Sequence, residues 1–280
     1  MNVRCIHLAA MLTAAWPALS ASPPLQNATD AGRAWHVFHG TNLAGFETWL
    51  VDSRHANPRG VFTITNGTLR ISGDGLGYLA TTNDWQDYTL TLEYRWGATN
   101  SSWGDRLGKA RDSGVFLHAT GPHGNSFDGT GAFMAAIECN IFEGATGDFL
   151  LIRGTNASGT AIHPRIAFAA SSRSDADGFR WFEPGGTMRT LERWGRVNWR
   201  NKSTAWRDHF GFRGDRDVEK PAGEWNRLEI ACHGRRIAVK LNGALVNEAF
   251  DVWPNRGRIL LQCEGSEIFF RNGVIQFNHE

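Results

Sequence analysis

Four cysteines in 280 residues are too few for a disulfide framework. Cys5 lies in the amino-terminal apolar stretch, which leaves Cys139, Cys232 and Cys263, an odd number. They show no Cys-x-x-Cys spacing of the kind that binds zinc. Each sits in an apolar run, so they are read as buried free thiols. Excess charge is also lacking. With 29 Lys and Arg against 28 Asp and Glu, the formal net charge is +1, which gives no electrostatic reason to expect nucleic acid or an anionic membrane as partner. The apolar run "HLAAMLTAAWPAL" is short for a membrane span and is soon followed by Pro23 and Pro24. Together with Arg4 and Ala18-Leu19-Ser20 it reads as an export signal over residues 1–20, followed by a polar linker over 21–33. The expectation is an exported protein, periplasmic or secreted, with no membrane insertion after signal cleavage. No helix-period segment of twelve residues stands out. "GDGLG" at Gly73–Gly77 has no βαβ context and is a turn, so a dinucleotide site is not expected. Nothing in the sequence fixes an oligomeric state.

What the chain does have is glycine, 32 residues against nine prolines, and twelve tryptophans. Short β-type runs recur at "VFTITNGTLRISG", "DYTLTLEYRW", "SGVFLHA", "MAAIECNIFE" and "DFLLIRG". They resume at "WNRLEIACHGRRIAVKLNGALVNEA", "RGRILLQCEG" and "EIFFRNGVIQF". The "TNG", "HGRR" and "LNG" between them are hairpin signals, because Asn and Gly tolerate positive φ. Strands of this length and spacing predict an all-β fold, an antiparallel β-sandwich or jelly roll, as one domain over residues 34–280. One segment, about 172–221, breaks the pattern. It is rich in Arg, Trp, Gly and Asp, and too aromatic for a disordered linker, so it reads as an ordered irregular excursion over one end of the sandwich.

Period-two alternation sorts the faces of the strands. Glu93 and Arg95 share one face of their run; Gly114, Phe116 and His118 lie together on theirs. Glu138 and Asn140 oppose Ile137 and Cys139, and Gln262 and Glu264 oppose Leu261 and Cys263. Each strand thus has an apolar face and one bearing carboxylates, amides, an imidazole or a guanidinium. An ordinary solvated sheet face is also polar, but would carry more Lys, Thr and Ser. Glu143 and Asp148 flank a glycine-rich turn and read as turn or cap residues. His163, His209 and His233 receive no role. Trp194, Trp199 and Trp206 of the excursion are candidates for a sugar-stacking wall.

The segments "GYLATTNDWQDYTLTLEYRW", "DSGVFLH", "IECNIFEGATGDF", "DVEKPAGEWNRLEI", "LNGALVN" and "GRILLQCEGSEIFFRN" together resemble the 3-keto-disaccharide hydrolase domain family, over about residues 34–278. The resemblance implies a concanavalin-like jelly roll and extracytoplasmic carbohydrate chemistry. Two departures are visible. The strand of Glu138 reads Ile-Glu-Cys-Asn rather than Tyr-Glu-Val-Gln, and Asp112 stands where many members have Asn. A ketone at C3 of a sugar acidifies the C2 proton, so a base can drive loss of the C1 substituent, and water then adds to the enone. Under that chemistry Glu138 or His118 is the candidate base and Arg95 the electrostatic stabiliser. Glu93, Asn140, Gln262 and Glu264 are candidates to orient the sugar. A divalent metal held by His118 and carboxylates is the alternative to Arg95. The alternative to an enzyme is a carbohydrate-binding module without turnover.

Overall fold

Hairpin chemistry organises the chain. Asn66 and Gly67 take φ of 49° and 69°, and Asn242 and Gly243 take 50° and 85°. Positive φ at both turn residues matches the twist of paired strands. The computed structural model describes residues 34–38, 41–126 and 131–277; the expected signal and linker lie outside them. Strands β1 (Ala34–His36) and β2 (Phe46–Leu50) precede the hairpin β3 (Phe62–Thr65) and β4 (Thr68–Ile71), then β5 (Leu76–Thr81) and β6 (Tyr88–Asn100). A 3-10 turn at Trp103–Asp105 leads to β7 (Asp112–Thr120), β8 (Ala135–Phe142), β9 (Phe149–Ile152), β10 (Gly154–Thr155) and β11 (Ala161–Ile162). Next come β12 (Arg165–Ser174), β13 (Arg180–Phe182), β14 (Thr187–Glu192) and β15 (Gly195–Asn198). The chain closes with β16 (Asn226–His233), β17 (Arg236–Leu241), β18 (Ala244–Trp253), β19 (Arg258–Glu264) and β20 (Ser266–Phe277).

These strands make a two-layered all-β sandwich. One layer runs β3-β4-β20-β6-β16-β17-β18, antiparallel throughout. The other runs β2-β5-β19-β7-β8-β9-β15, also antiparallel. Its far end is extended by β13, parallel to β15, and by the β12–β14 pair. β12 also pairs with β18, which ties the layers along one edge. Leu90, Leu92, Ile230, Val239 and Phe270 of the first layer belong to the same core as Val115, Leu117, Ile137, Ile141 and Leu261 of the second. Each such side chain contributes roughly 1.5–3 kcal/mol on burial. Cys139, Cys232 and Cys263 are buried and free, filling this core as small apolar residues.

The excursion is more regular than expected in its first half. Residues 172–198 hold the end of β12 and all of β13, β14 and β15; only 199–225 lack strands. Short exposed strands such as β14 show no apolar alternation, so periodicity misses them.

Candidate functional site

Strand register places the polar groups on the outward face of the second layer. Trp49 of β2 lies opposite Tyr78 of β5, and Tyr78 opposite Gln262 of β19. Leu261 pairs with Val115, so Gln262 adjoins Gly114, which itself faces Asn140 of β8. One row later, Leu260 pairs with Phe116 and Phe116 with Glu138. Asp112 follows Gly114 on the same face by alternation. The opposite faces of these strands are apolar core, so this whole set points away from it.

The set lines a groove of about 500 Å³ whose walls include Asp112, Glu138, Asn140, Gln262, Glu264, Arg153, Trp194 and Arg196. Glu138 is 3% exposed. Its carboxylate lies across Gly114, where a Cβ would stand 2.3 Å from Oε1. Burial pushes the Glu138 carboxyl well above the ordinary carboxylate range, Asp112 adds to the rise, and Arg196 opposes it. Burial likewise lifts Asp112 to about 7, against the pull of Arg106 and Arg196. Two acids with raised proton affinity and a guanidinium acting on both are suited to acid–base chemistry. Beside them the amide oxygens of Asn140 and Gln262 are buried and accept no hydrogen bond among the described residues. A buried acceptor without a donor costs about 1–3 kcal/mol, so this part of the groove floor favours a ligand that brings hydrogen-bond donors. Gln262 donates to Glu264 at 2.7 Å, which orients that amide.

Buried salt links fix the cation. Asp148, fully buried, accepts from Arg196 at 3.0 Å, from Lys202 Nζ at 2.7 Å and from the Trp199 amide at 2.7 Å. Glu143 pairs with Arg111 and accepts from the Gly211 amide at 3.0 Å. Both acids lie at the turn after β8, but they anchor the excursion against the sandwich and do more than cap a turn. Arg106 holds Asp208 at 3.1 and 3.2 Å and approaches Asp112 to 3.6 Å.

Four residues proposed from sequence stand elsewhere. His118 has φ of 55°, and the β7–β8 register shifts between Leu117 and Thr120. This irregularity breaks the alternation and turns the ring off the groove face. Its Nδ1 lies 2.9 Å from the Pro254 carbonyl, its ring meets Tyr88 of the first layer edge-on, and burial lowers its pKa to about 4. Glu93 and Arg95 belong to β6 of the first layer, on the face opposite core residues Leu92, Tyr94 and Trp96. Glu93 accepts from Arg271 at 2.7 Å, and Arg95 lies over Phe269 and Trp225. The sandwich separates them from Glu138. Trp199 is 2% exposed and donates its indole N–H to Gly144 at 3.2 Å, so it is core. Trp194 does line the groove and is 57% exposed. Trp206 packs on Phe142 and lines an adjoining cavity together with Trp194.

Arg196 was missed because β15 is short and its neighbours carry no pattern. Asp112 stood out only as an added charge, although alternation from Gly114 places it on the groove face. Among the described residues, no group of three or more His, Cys, Asp or Glu side chains is placed to hold a metal ion. The ligand set considered from sequence is not assembled, because His118 is turned into the sandwich.

Residues 34–276 match the sequence model of the 3-keto-alpha-glucoside-1,2-lyase-like domain. The chain belongs to that family. Membership makes this a carbohydrate-related domain, in keeping with a groove of hydroxyl acceptors flanked by an exposed indole. No curated protein matches the chain. Among solved structures, a protein of Parabacteroides distasonis ATCC 8503 assigned provisionally to the glycosyl hydrolases is 19% identical, with 88% of this chain and 100% of that one covered and a TM-score of 0.48. The Bacillus licheniformis β-glucanase is 10% identical, with 90% and 100% covered and a TM-score of 0.41. The carbohydrate-binding module CBM66 from Bacillus subtilis is 12% identical, with 83% and 95% covered and a TM-score of 0.39.

Proposed function

We propose that this groove cleaves the glycosidic bond of 3-keto-glycosides by elimination and hydration, outside the cytoplasm. The observation that carries the reading is the Glu138–Asp112 pair: two carboxyls with raised proton affinity beside the Arg196 guanidinium. Burial favours the protonated form of both, and Asp112, at about 7, exchanges its proton near neutral pH. The ionised member takes the C2 proton of the sugar, and the C2–H electrons move into the C2–C3 bond as the C3 carbonyl becomes an enolate. Arg196 stabilises the enolate oxygen. Collapse of the enolate restores the ketone, breaks the C1–O bond and leaves a C1–C2 double bond; the protonated member gives its proton to the departing oxygen. Water then adds at C1 while C2 regains a proton, so the net reaction is hydrolysis. Asn140 and Gln262 accept from sugar hydroxyls, and Trp194 offers its exposed ring to the sugar's apolar face.

Glu138→Gln tests this directly. A positioned acid–base group contributes about 10²–10⁴-fold, so turnover of a 3-keto-disaccharide should fall by that factor while sugar affinity stays within a few-fold. Unchanged turnover would remove Glu138 from the reaction. Sugar binding by wild-type protein with no turnover of several 3-keto-glycosides would instead make the domain a binding module. Mass measurement of the exported protein checks the location: a chain beginning near residue 21 is expected.

A further inference from the structure

Three cavities adjoin one another at the end of the second layer. The groove over Glu138 shares Leu150, Trp194 and Arg196 with a second cavity of about 420 Å³. That one shares Lys202, Ser203 and Thr204 with a third of about 230 Å³. The three cavities lie side by side, so a ligand longer than one ring, anchored over Glu138, can extend toward the third.

The third cavity differs from the first in charge. Arg173 from the end of β12, Arg200 just after β15 and Arg216 from the irregular stretch converge on it, against one acid, Asp215. All three arginines are exposed, and none forms an ion pair with a described carboxylate. The fourth cation, Lys202, is already committed to Asp148 at 2.7 Å. Three guanidinium groups without an ion pair among the described residues, Arg173 lying over the Trp181 ring, are brought together from separate segments and repel one another, and a bound anion relieves that repulsion. Their planar forks match carboxylate, sulfate or phosphate oxygens in pairs. The second cavity supplies the connection in a form suited to a sugar, with the Ser203 and Thr204 hydroxyls, the Asp177 carboxylate and the half-buried Trp206.

We propose that the third cavity binds an oxyanion group carried on the leaving-group side of a glycan whose other end lies over Glu138, so that the domain prefers acidic glycans. The inference rests on the proposed function in taking the ligand to be a sugar chain, and it adds the charge that chain must carry. Three probes separate the outcomes in calorimetry with the exported form of the full chain. They are a neutral glucose trisaccharide, the same trisaccharide with glucuronic acid as its third unit from the non-reducing end, and sodium sulfate. None is oxidised at C3, so turnover does not interfere. The acidic trisaccharide should bind at least tenfold more tightly than the neutral one. That preference should shrink to under twofold in the Arg200→Ala/Arg216→Ala protein and in 0.5 M salt, where charges are screened within about 4–5 Å. Affinity for the neutral trisaccharide should not change. Equal affinities in the wild type, no binding of either sugar, or a preference that survives the double substitution would each overturn the proposal. Sulfate binding as tightly as the acidic sugar would also overturn it, because the site would then serve a free ion. A preference for the acidic sugar in a protein that turns over no 3-keto-glycoside would leave this site standing and sink the reaction proposed above.

Discussion

Gly114→Ala tests the geometry of the groove with a single methyl group. Gly114 does not have a positive φ, so its backbone accepts alanine without strain. The three nearest atoms the new Cβ would meet all belong to Glu138: Oε1 at 2.3 Å, Cγ at 3.0 Å and Cδ at 3.1 Å. Carbon contacts settle at about 3.5–4.0 Å, so the carboxylate must retreat by roughly 1 Å or more. A displacement of that size at a reacting group costs on the order of 100-fold in rate. The fold should tolerate the change, since the displaced atoms are the end of a flexible side chain. Removing a strand glycine gains about 0.5–1 kcal/mol, which for a domain of this size moves the melting temperature by no more than about 2–4 °C. The expected result is a kcat/KM on a 3-keto-glycoside about 100-fold below wild type with a melting temperature within a few degrees. A kcat/KM within threefold would refute the claim that Glu138 acts from its place over Gly114. A collapsed melting temperature would show that the clash is not relieved through Glu138.

Asp112 has a folded pKa of about 7, above the ordinary carboxyl value of 3.8. Between those pH values the native state binds more protons than the unfolded chain, so this residue lowers stability as pH rises. Asp112→Asn should therefore melt higher than wild type at pH 8 and converge with it near pH 4 in a calorimetric pH series, while losing turnover. His118 has the opposite sign: its folded pKa of about 4 lies below the ordinary 6.5, so the native state loses stability as pH falls through that window. His118→Gln should flatten the acid limb of the melting curve and leave kcat within about twofold; a large loss of kcat would return His118 to the site. Trp194→Ala should weaken sugar binding about fivefold, from roughly 1 kcal/mol of stacking, with no change in melting temperature because the ring is mostly exposed.

Alternation made part of this site legible. β8 and β19 are regular strands with one face in the core, so Glu138, Asn140, Gln262 and Glu264 could be assigned to a common kind of face from sequence. The same alternation cannot say which layer a strand joins. Glu93 and Arg95 of β6 show the same local pattern, and only the pairing of β6 with β16 and β20 puts them on the other side of the sandwich. His118 was lost for a different reason. A positive φ and a register shift at one residue reverse the face of everything beyond it, and the alternation of apolar residues does not mark where that happens. The tryptophans failed on burial: Trp194 and Trp199 lie five residues apart in similar surroundings, yet one is solvent-facing and the other is core. That difference is set by the Asp148 and Gly144 partners of Trp199, which are distant in sequence.

The buried acids of this chain differ in how each is compensated, and the difference separates structure from chemistry. Asp148 and Glu143 face cations and backbone amides, so their charges are matched where they lie. Among the described residues Glu219 has no cation at its carboxylate; burial raises its pKa to about 7 against the pull of the Tyr94 hydroxyl at 2.6 Å and the Trp96 indole at 2.9 Å. Glu138 has neither kind of support. Among the described residues no donor lowers its pKa by hydrogen bonding, a second carboxyl raises it, and the Arg196 that opposes the rise is already paired with Asp148. A carboxyl left uncompensated on a groove floor destabilises the fold, and no packing role offsets that cost, since Gly114 is kept small beneath it. Under the proposed function the missing partner is a ligand, one that brings an acidic C–H to the groove floor and hydroxyl donors to Asn140 and Gln262.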